Sequence, residues 1–289
     1  MDNIAITGSG GYLGTVLAQG LRSSGARVIE FRRDASSAGG DVRAYRLEEA
    51  PSPSALAGVD VLVHCAYDFK AWGWEEIRAI NVEGTRRLFA AAASAGVRRF
   101  VLISTISAFP GCRSLYGRAK LQMEAIATER GGILIRPGLV YGERPGGMVG
   151  SLNKLVSLPG FVPLVGRGNC SLHTAHADDL ALLVVRVISQ PSGLEGVPLV
   201  AAHEHAYSLR EIMTALAAAQ HRRARFLPIP ASLIDTLLGL AESLGLRPRL
   251  RRDSLRSLLN QDPAPNFGPL KELGLNFRPF SPSGTLIGS

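Results

Sequence analysis

Close to the start of the chain, the apolar run Ile4-Ala5-Ile6 leads straight into Thr7-Gly8-Ser9-Gly10-Gly11-Tyr12-Leu13-Gly14, and an amphipathic segment from Thr15 to Leu21 follows. Glycines between a buried strand and a helix constrain a fold in three ways. Gly8 permits the turn, Gly11 lets the backbone come near a pyrophosphate, and Gly14 lets helix and strand pack closely. The helix N–H groups, beginning at Tyr12 and Leu13, then aim at the anion. The pattern TGxxGxxG therefore predicts a dinucleotide site at the head of a doubly wound α/β sheet.

The rest of the first half fits that frame. Short β-branched runs alternate with longer helical patterns, as in stacked βαβ units. Strands are predicted at residues 4–7, 26–31, 42–46, 61–65, 100–104 and 132–136, and helices begin at Tyr12, Trp74, Asn81 and Tyr116. The second half is broken by glycine and proline, first in residues 142–150 and then by prolines spread to position 282. Within it, residues 231–246 place Leu233, Leu237, Leu240 and Leu244 on one helical face. The expected role is a helix packing on the core. The alternative is a membrane-surface helix, supported by the arginines that follow at 247, 249, 251, 252 and 256.

Composition sets the outer limits. Apolar residues make up 46% of the 289 and charged residues 19%, which is globular and not disordered. No apolar run approaches the eighteen or so residues that span a bilayer. The first strand begins by Ile4, which leaves no room for a cleavable signal peptide. Cys65, Cys112 and Cys170 form no CxxC, so a reduced cytoplasmic setting is expected. The net charge of +8 comes with no nucleic-acid-binding motif, and a binder of phosphate-rich small molecules also benefits from such a field. The histidine spacings 173/176 and 203/205 lack the further ligands of a metal site, so no metal is expected, and His176 is read as packing at a helix start with Asp178 and Asp179.

A second motif narrows the reading. Tyr116-Gly117-Arg118-Ala119-Lys120 is a YxxxK pair, with the lysine one helical turn from the tyrosine on the same face. Around it stand Asp60 to Ala66, Asn81-Val82-Glu83-Gly84-Thr85, Phe100 to Thr105, Ile135-Arg136-Pro137-Gly138-Leu139-Val140-Tyr141-Gly142 and His176-Ala177-Asp178-Asp179-Leu180. In that order they resemble the extended branch of the short-chain dehydrogenase/reductase superfamily, the NAD-dependent epimerase/dehydratase family. The resemblance runs from Ile4 to about Leu183. It implies a Rossmann domain at residues 1–142 plus about 172–202. It also implies a small C-terminal substrate-binding lid at about 143–171 plus 203–289, and pairing into a homodimer through the long helices around Asn81 and Tyr116.

The resemblance also implies site roles. Tyr116 is the proton donor and acceptor, Lys120 stabilises its phenolate and holds the nicotinamide ribose, and Thr105 supplies the hydroxyl that binds the reacting oxygen, with Ser104 as the alternative in register. A phenol titrates near pH 10, so action at neutral pH calls for a downward shift of up to about three units, roughly 4 kcal/mol. Ala66, Leu47 and Pro137 complete the expected cofactor surface, and Asn81 is expected to order a water or backbone nearby. Tyr67 replaces a usual small residue and narrows the nicotinamide side, while Trp72 and Trp74 wall the substrate entrance or merely pack.

Cofactor choice is read at the end of the second strand, where an acid binds the ribose 2′-hydroxyl of NAD. That position falls on Arg32, followed by Arg33, while Glu30 is expected to point elsewhere. A guanidinium suits a 2′-phosphate, and one such bond is worth roughly 1.5–3 kcal/mol. NADP(H) is therefore the expected preference, with NAD(H) possible. Ile106-Ser107 stands where a dehydratase carries an acid pair, which disfavours dehydration. The leading expectation is NADPH-dependent reduction of a keto group on a nucleotide sugar, with Arg144 and Arg210 as substrate-binding candidates. The alternatives are 4-epimerisation of such a sugar, reduction of an apolar ketone or aldehyde, and a non-catalytic NADP(H) sensor.

Overall fold

The computed structural model describes residues 2–34, 41–144, 146–190, 193–246 and 250–282. Its first part alternates strand and helix: β1 (Asn3–Thr7), α1 (Tyr12–Ser23), β2 (Arg27–Arg32), β3 (Val42–Ala44), β4 (Val61–His64), α2 (Gly73–Ile77), α3 (Glu83–Ser94), β5 (Arg99–Ile103), α4 (Leu115–Thr128) and β6 (Ile133–Pro137). The second part holds β7 (Leu139–Tyr141), α5 (Gly147–Ser157), β8 (Phe161–Val165), β9 (Ser171–His176), α6 (Ala177–Ser189), β10 (Pro198–Ala201), β11 (Ala206–Ser208), α7 (Leu209–Ala219), β12 (Arg225–Ile229), α8 (Ala231–Ser243), α9 (Arg252–Leu259) and α10 (Gly268–Glu272).

Seven strands form one parallel sheet in the order β10-β6-β5-β4-β1-β2-β3. The chain winds outward in both directions from β1, so a crevice opens at the carboxyl ends of β1 and β4, where such sheets bind ligands. Side chains alternate across the strands. Ile4 and Ile6 join the core under α1 and α6, while Ala5, Ile29, Phe31 and Leu62 join the core under α3 and α4. β3 stops two residues short of expectation because the chain leaves the sheet there, Tyr45 packing on Phe31 with ring centroids 5.8 Å apart.

The range expected to form a lid has its own apolar cluster, built from α5, β8, α7 and residues such as Leu172 and Leu258. Two features depart from the sequence reading. Within the range expected to be lid, Leu270, Leu273 and Phe277 are buried in the core of the large sheet instead. α8 does not pack on a core: none of its residues is buried, and Leu237 and Leu244 are 56% and 69% exposed. Helical periodicity defines an apolar face but not what covers it. Arg247 and Arg249, singled out beside this helix, lie outside the described residues. Among the described residues no helix is long and apolar enough to cross a membrane.

Candidate active site

The glycine turn lies at the crevice. Gly8 has φ +71°, in the left-handed region, and a Cβ there would stand 2.9 Å from the Ala66 backbone. At Gly14 a Cβ would stand 2.1 Å from the Gly8 carbonyl oxygen. No side chain caps α1 at Gly11, so the first-turn N–H groups of Tyr12, Leu13 and Gly14 remain available at the helix start. A Cβ on Gly10 would meet nothing within 4 Å, which marks the open side of the turn. These features fit a dinucleotide pyrophosphate. The Tyr12 ring packs under Gly146, and its buried hydroxyl lies beside Gly142 just after β7.

Behind the turn, three hydroxyl- and imidazole-bearing residues lock β1, β4 and α3 together. Thr7 Oγ1 accepts from the N–H groups of Cys65 and Ala66, both at 3.2 Å. Its single proton then goes to His64 Nδ1 at 2.7 Å, so His64 is the Nε2–H tautomer. That N–H donates to Thr85 Oγ1 at 3.0 Å, and Thr85 donates to the Asn81 carbonyl at 2.7 Å. Burial, with the Lys120 charge adding to it, lowers the imidazole to about 3, so it is neutral well above that pH. Asn81 sits in a π-helical turn, Arg78–Val82, leading into α3, and its side-chain Oδ1 accepts from Asp68 N at 2.6 Å. It orders backbone, as one arm of the sequence reading had it.

Thr105, Tyr116 and Lys120 meet at the end of β5. Ser114 caps α4 by accepting from Gly117 N at 3.0 Å. The carboxylate of Asp253, on α9, accepts from Leu115 N at 2.6 Å and Tyr116 N at 3.0 Å, closing the other first-turn donors. Lys120 is 3% exposed, and its Nζ donates to the Ile103 carbonyl at 2.7 Å. Burial lowers this ammonium to about 8, against the opposing pull of Cys65 and Glu124. Thr105 is hydrogen-bonded to Tyr116 and accepts from Ser107 N at 3.2 Å. Ser104 faces the other way and donates to Glu124, which also receives Arg136 Nε at 2.8 Å and Nη2 at 2.6 Å. The two residues thus have different partners: Thr105 reaches the phenol, and Ser104 is held by a buried ion pair.

The Tyr116 phenol runs opposite to the sequence expectation. Burial pushes it above its ordinary value, with the hydrogen bond from Thr105 pulling the other way. The reason is its apolar wall: the Tyr67 ring stands edge-on at 5.0 Å and the Phe69 ring at 5.7 Å. Tyr67 also lies under Lys120, with Nζ 5.2 Å from its centroid. The two tryptophans pack beneath arginines, Trp74 under Arg118 at 3.8 Å and Trp72 under Arg251 at 4.2 Å.

Glu30 also departs from expectation. Its side chain is only 7% exposed and binds Arg22, Arg32 and Ser9, the last within the glycine turn. Burial pushes the carboxyl up, but these hydrogen bonds hold it below the usual range. Arg32 Nε donates to it at 2.8 Å, so this guanidinium is steadied beside the turn rather than free. Arg33 is more exposed and lies 3.6 Å from Asp68. Leu47 gives its carbonyl to Arg87 at 2.9 Å against α3, and the Pro137 carbonyl accepts from Ile106 N at 2.9 Å.

The two substrate-arginine candidates are not brought together. Arg144 is exposed on the loop after β7, whereas Arg210 donates to the Arg167 carbonyl at 3.0 Å and stacks 5.0 Å over Phe226 within the lid. His176 caps α6, accepting from Asp178 N at 3.3 Å, as the sequence suggested. Sequence reasoning missed Asp253, Arg251 and the Glu124–Arg136 pair. Arg251 donates to the carbonyls of Phe69 and Ala71 at 2.6 and 2.8 Å, anchoring the aromatic wall. No local motif announces such contacts: Asp253 and Arg251 meet partners far away in the chain, and Glu124 meets Arg136 only once α4 packs beside β6.

A glycine-turn Rossmann sheet with a Thr–Tyr–Lys set at the end of β5 defines an oxidoreductase of the extended short-chain dehydrogenase/reductase type. The model of the NAD dependent epimerase/dehydratase family matches residues 4–200, and the chain belongs to that family. Its curated relatives include a ceramide reductase of Caulobacter vibrioides, 27% identical over 282 residues, covering 93% of this chain and 88% of the relative. A UDP-glucose 4-epimerase of Vibrio cholerae is 28% identical over 263 residues, covering 79% of each. Among solved structures, that titled "Crystal structure of gox2253" superposes with a TM-score of 0.76 at 22% identity, covering 96% of this chain and 94% of the other.

Proposed function

We propose that this chain is an NADP(H)-dependent ketoreductase whose substrate carries an apolar chain beside the reacting carbonyl. The observation that carries the reading is the aromatic wall at the catalytic phenol, in which Tyr67 and Phe69 flank Tyr116 and Phe69 is 66% exposed towards solvent. A sugar's hydroxyls need polar partners, and an alkyl chain needs such a wall. The ceramide reductase relative, matched over nearly the whole chain including the lid, supports the same class.

In this reading the bound dinucleotide supplies the hydride. The glycine turn and the start of α1 hold its pyrophosphate, and Arg32 with Arg33 receives a 2′-phosphate. Glu30 neutralises part of that charge but is itself shared with Arg22, so the group keeps a net positive field. Thr105 donates to the substrate carbonyl oxygen. Tyr116, kept protonated by burial, gives its proton to that oxygen as charge develops on it. Lys120 places its charge behind the phenol and stabilises the phenolate left behind. A phenol that favours its protonated form suits net reduction.

The test is NADPH oxidation followed with two substrates, a long-chain 3-oxo compound and a nucleotide-linked 4-keto-6-deoxy sugar. Turnover of the first alone supports the reading. Turnover of the second alone replaces it with the nucleotide-sugar reading, which the exposed Arg144 and the UDP-glucose 4-epimerase relative favour. Tight NADPH binding with no turnover of either points to a sensor.

A further inference from the structure

The lid helix α8 combines three features. Leu233, Leu237, Leu240 and Leu244 are between 49% and 69% exposed. The opposite face is the one that packs. Asp235 accepts from Arg252 Nε at 2.8 Å and from Arg256 Nε at 3.2 Å, and Glu242 accepts from Arg252 N at 2.9 Å. A Cβ on Gly239 would stand 3.3 Å from the Arg252 guanidinium. At 3.6 residues per turn, the packed positions 235, 239 and 242 and the leucines lie about 180° apart on the helix. Both acids of α8 are thus drawn onto α9, and the leucine face is left without charge. Because α9 also holds the start of α4, it lies between α8 and Tyr116, so the leucines turn away from the catalytic group.

The segment running into α8 supplies the third feature. Arg223 and Arg225 are exposed and, among the described residues, form no ion pair, and Leu227 beside them is 51% exposed. β12 pairs with β8 so that Arg225 lies beside Phe161, which is also exposed. Unpaired arginines next to protruding apolar side chains match a surface that is anionic outside and hydrocarbon within. A protein partner would need matching acidic groups around an apolar centre, whereas an anionic bilayer offers both everywhere.

We infer that the leucine face of α8, with Arg223 and Arg225, docks the protein on membranes containing anionic phospholipid. The inference rests on this surface alone and not on the substrate reading, and its test uses no substrate. The full chain is mixed with phosphatidylcholine vesicles, with or without phosphatidylglycerol, and floated through a density gradient. Co-flotation with the anionic vesicles only, weakening as salt rises, is expected. Leu237→Glu with Leu240→Glu abolishes it. Arg223→Gln with Arg225→Gln weakens it by roughly an order of magnitude or more. These positions are exposed, so an unchanged thermal unfolding midpoint verifies the fold. Absence of flotation on either vesicle, or binding that survives the leucine substitutions, overturns the inference. So does a dimer in sedimentation that Leu237→Glu splits without lipid, since a second copy is then the occupant.

Discussion

Burial lowers the Lys120 ammonium to about 8, so its charge is lost inside the range where reductases are assayed. Below that value the lysine is charged and supports the phenolate; above it, the support goes. The kcat/KM for reduction should therefore fall as pH rises through about 8, and Lys120→Arg, which keeps its charge, should move that fall to higher pH. Tyr116→Phe should reduce kcat by a factor of about 10² to 10⁴ with little change in NADPH affinity, measured by cofactor fluorescence titration. At the cofactor, Arg33→Ala with Arg32→Ala should cost NADPH roughly 1.5–3 kcal/mol of affinity per bond lost and leave NADH nearly unchanged. Equal losses for both cofactors would remove these arginines from the 2′-phosphate. The residues that meet at the end of β5 are legible because they sit in motifs with fixed spacing. Ser104 against Thr105 was not, since it depends on Glu124 and Arg136 arriving from another helix and strand. Glu30 was misjudged for the same reason: nothing in its own strand shows that Arg22 and Ser9 close over it.

Elements, more than residues, carry the rigidity of the site. His64 ties two strands to α3, and its imidazole stays neutral to about pH 3 while an unfolded chain protonates it near 6.5. Below 6.5 the unfolded state binds the extra proton, so stability falls with falling pH by about 1.4 kcal/mol per unit until the folded value is reached. A His64→Asn variant, less stable at neutral pH, should lose stability less steeply between pH 6 and 4 in urea titrations. The α4 start depends on Asp253, and Asp253→Asn should cost about 1 kcal/mol of stability and lower kcat more than it raises KM, because the Tyr116 backbone loses its charged anchor. The first six strands and the helices starting near Tyr12, Trp74, Asn81 and Tyr116 were readable from periodicity and the motifs, whereas β7 to β12, α5 and α7 were not. The exposure of α8 was not: its leucine spacing is that of any core-facing helix, and only the pairing of Asp235 and Glu242 with α9 reveals which way it faces.

At the scale of the whole molecule, the sheet and its switch point follow from the βαβ pattern, but the division between sheet and lid does not. Leu270, Leu273 and Phe277 return to the large core, and Arg278 bonds Asp179 at the start of α6 through Nε at 2.9 Å. These residues lie in a proline-rich stretch with no periodic signal, so their destination is set by tertiary fit. Phe277→Ala should destabilise the protein by about 3–5 kcal/mol, read as a shift in the urea midpoint at constant slope, whereas the same loss at exposed Phe69 should be near zero in stability.

The same return has a consequence for the order of events during synthesis. The first sheet strands are made long before Leu270, Leu273 and Phe277, which fill the same hydrophobic layer. The nascent protein must therefore hold an incompletely filled Rossmann layer through the translation of the entire lid, and only the arrival of Phe277 seals it. A chain stalled before that point exposes the unfilled layer, so a chaperone is needed until Phe277 is made.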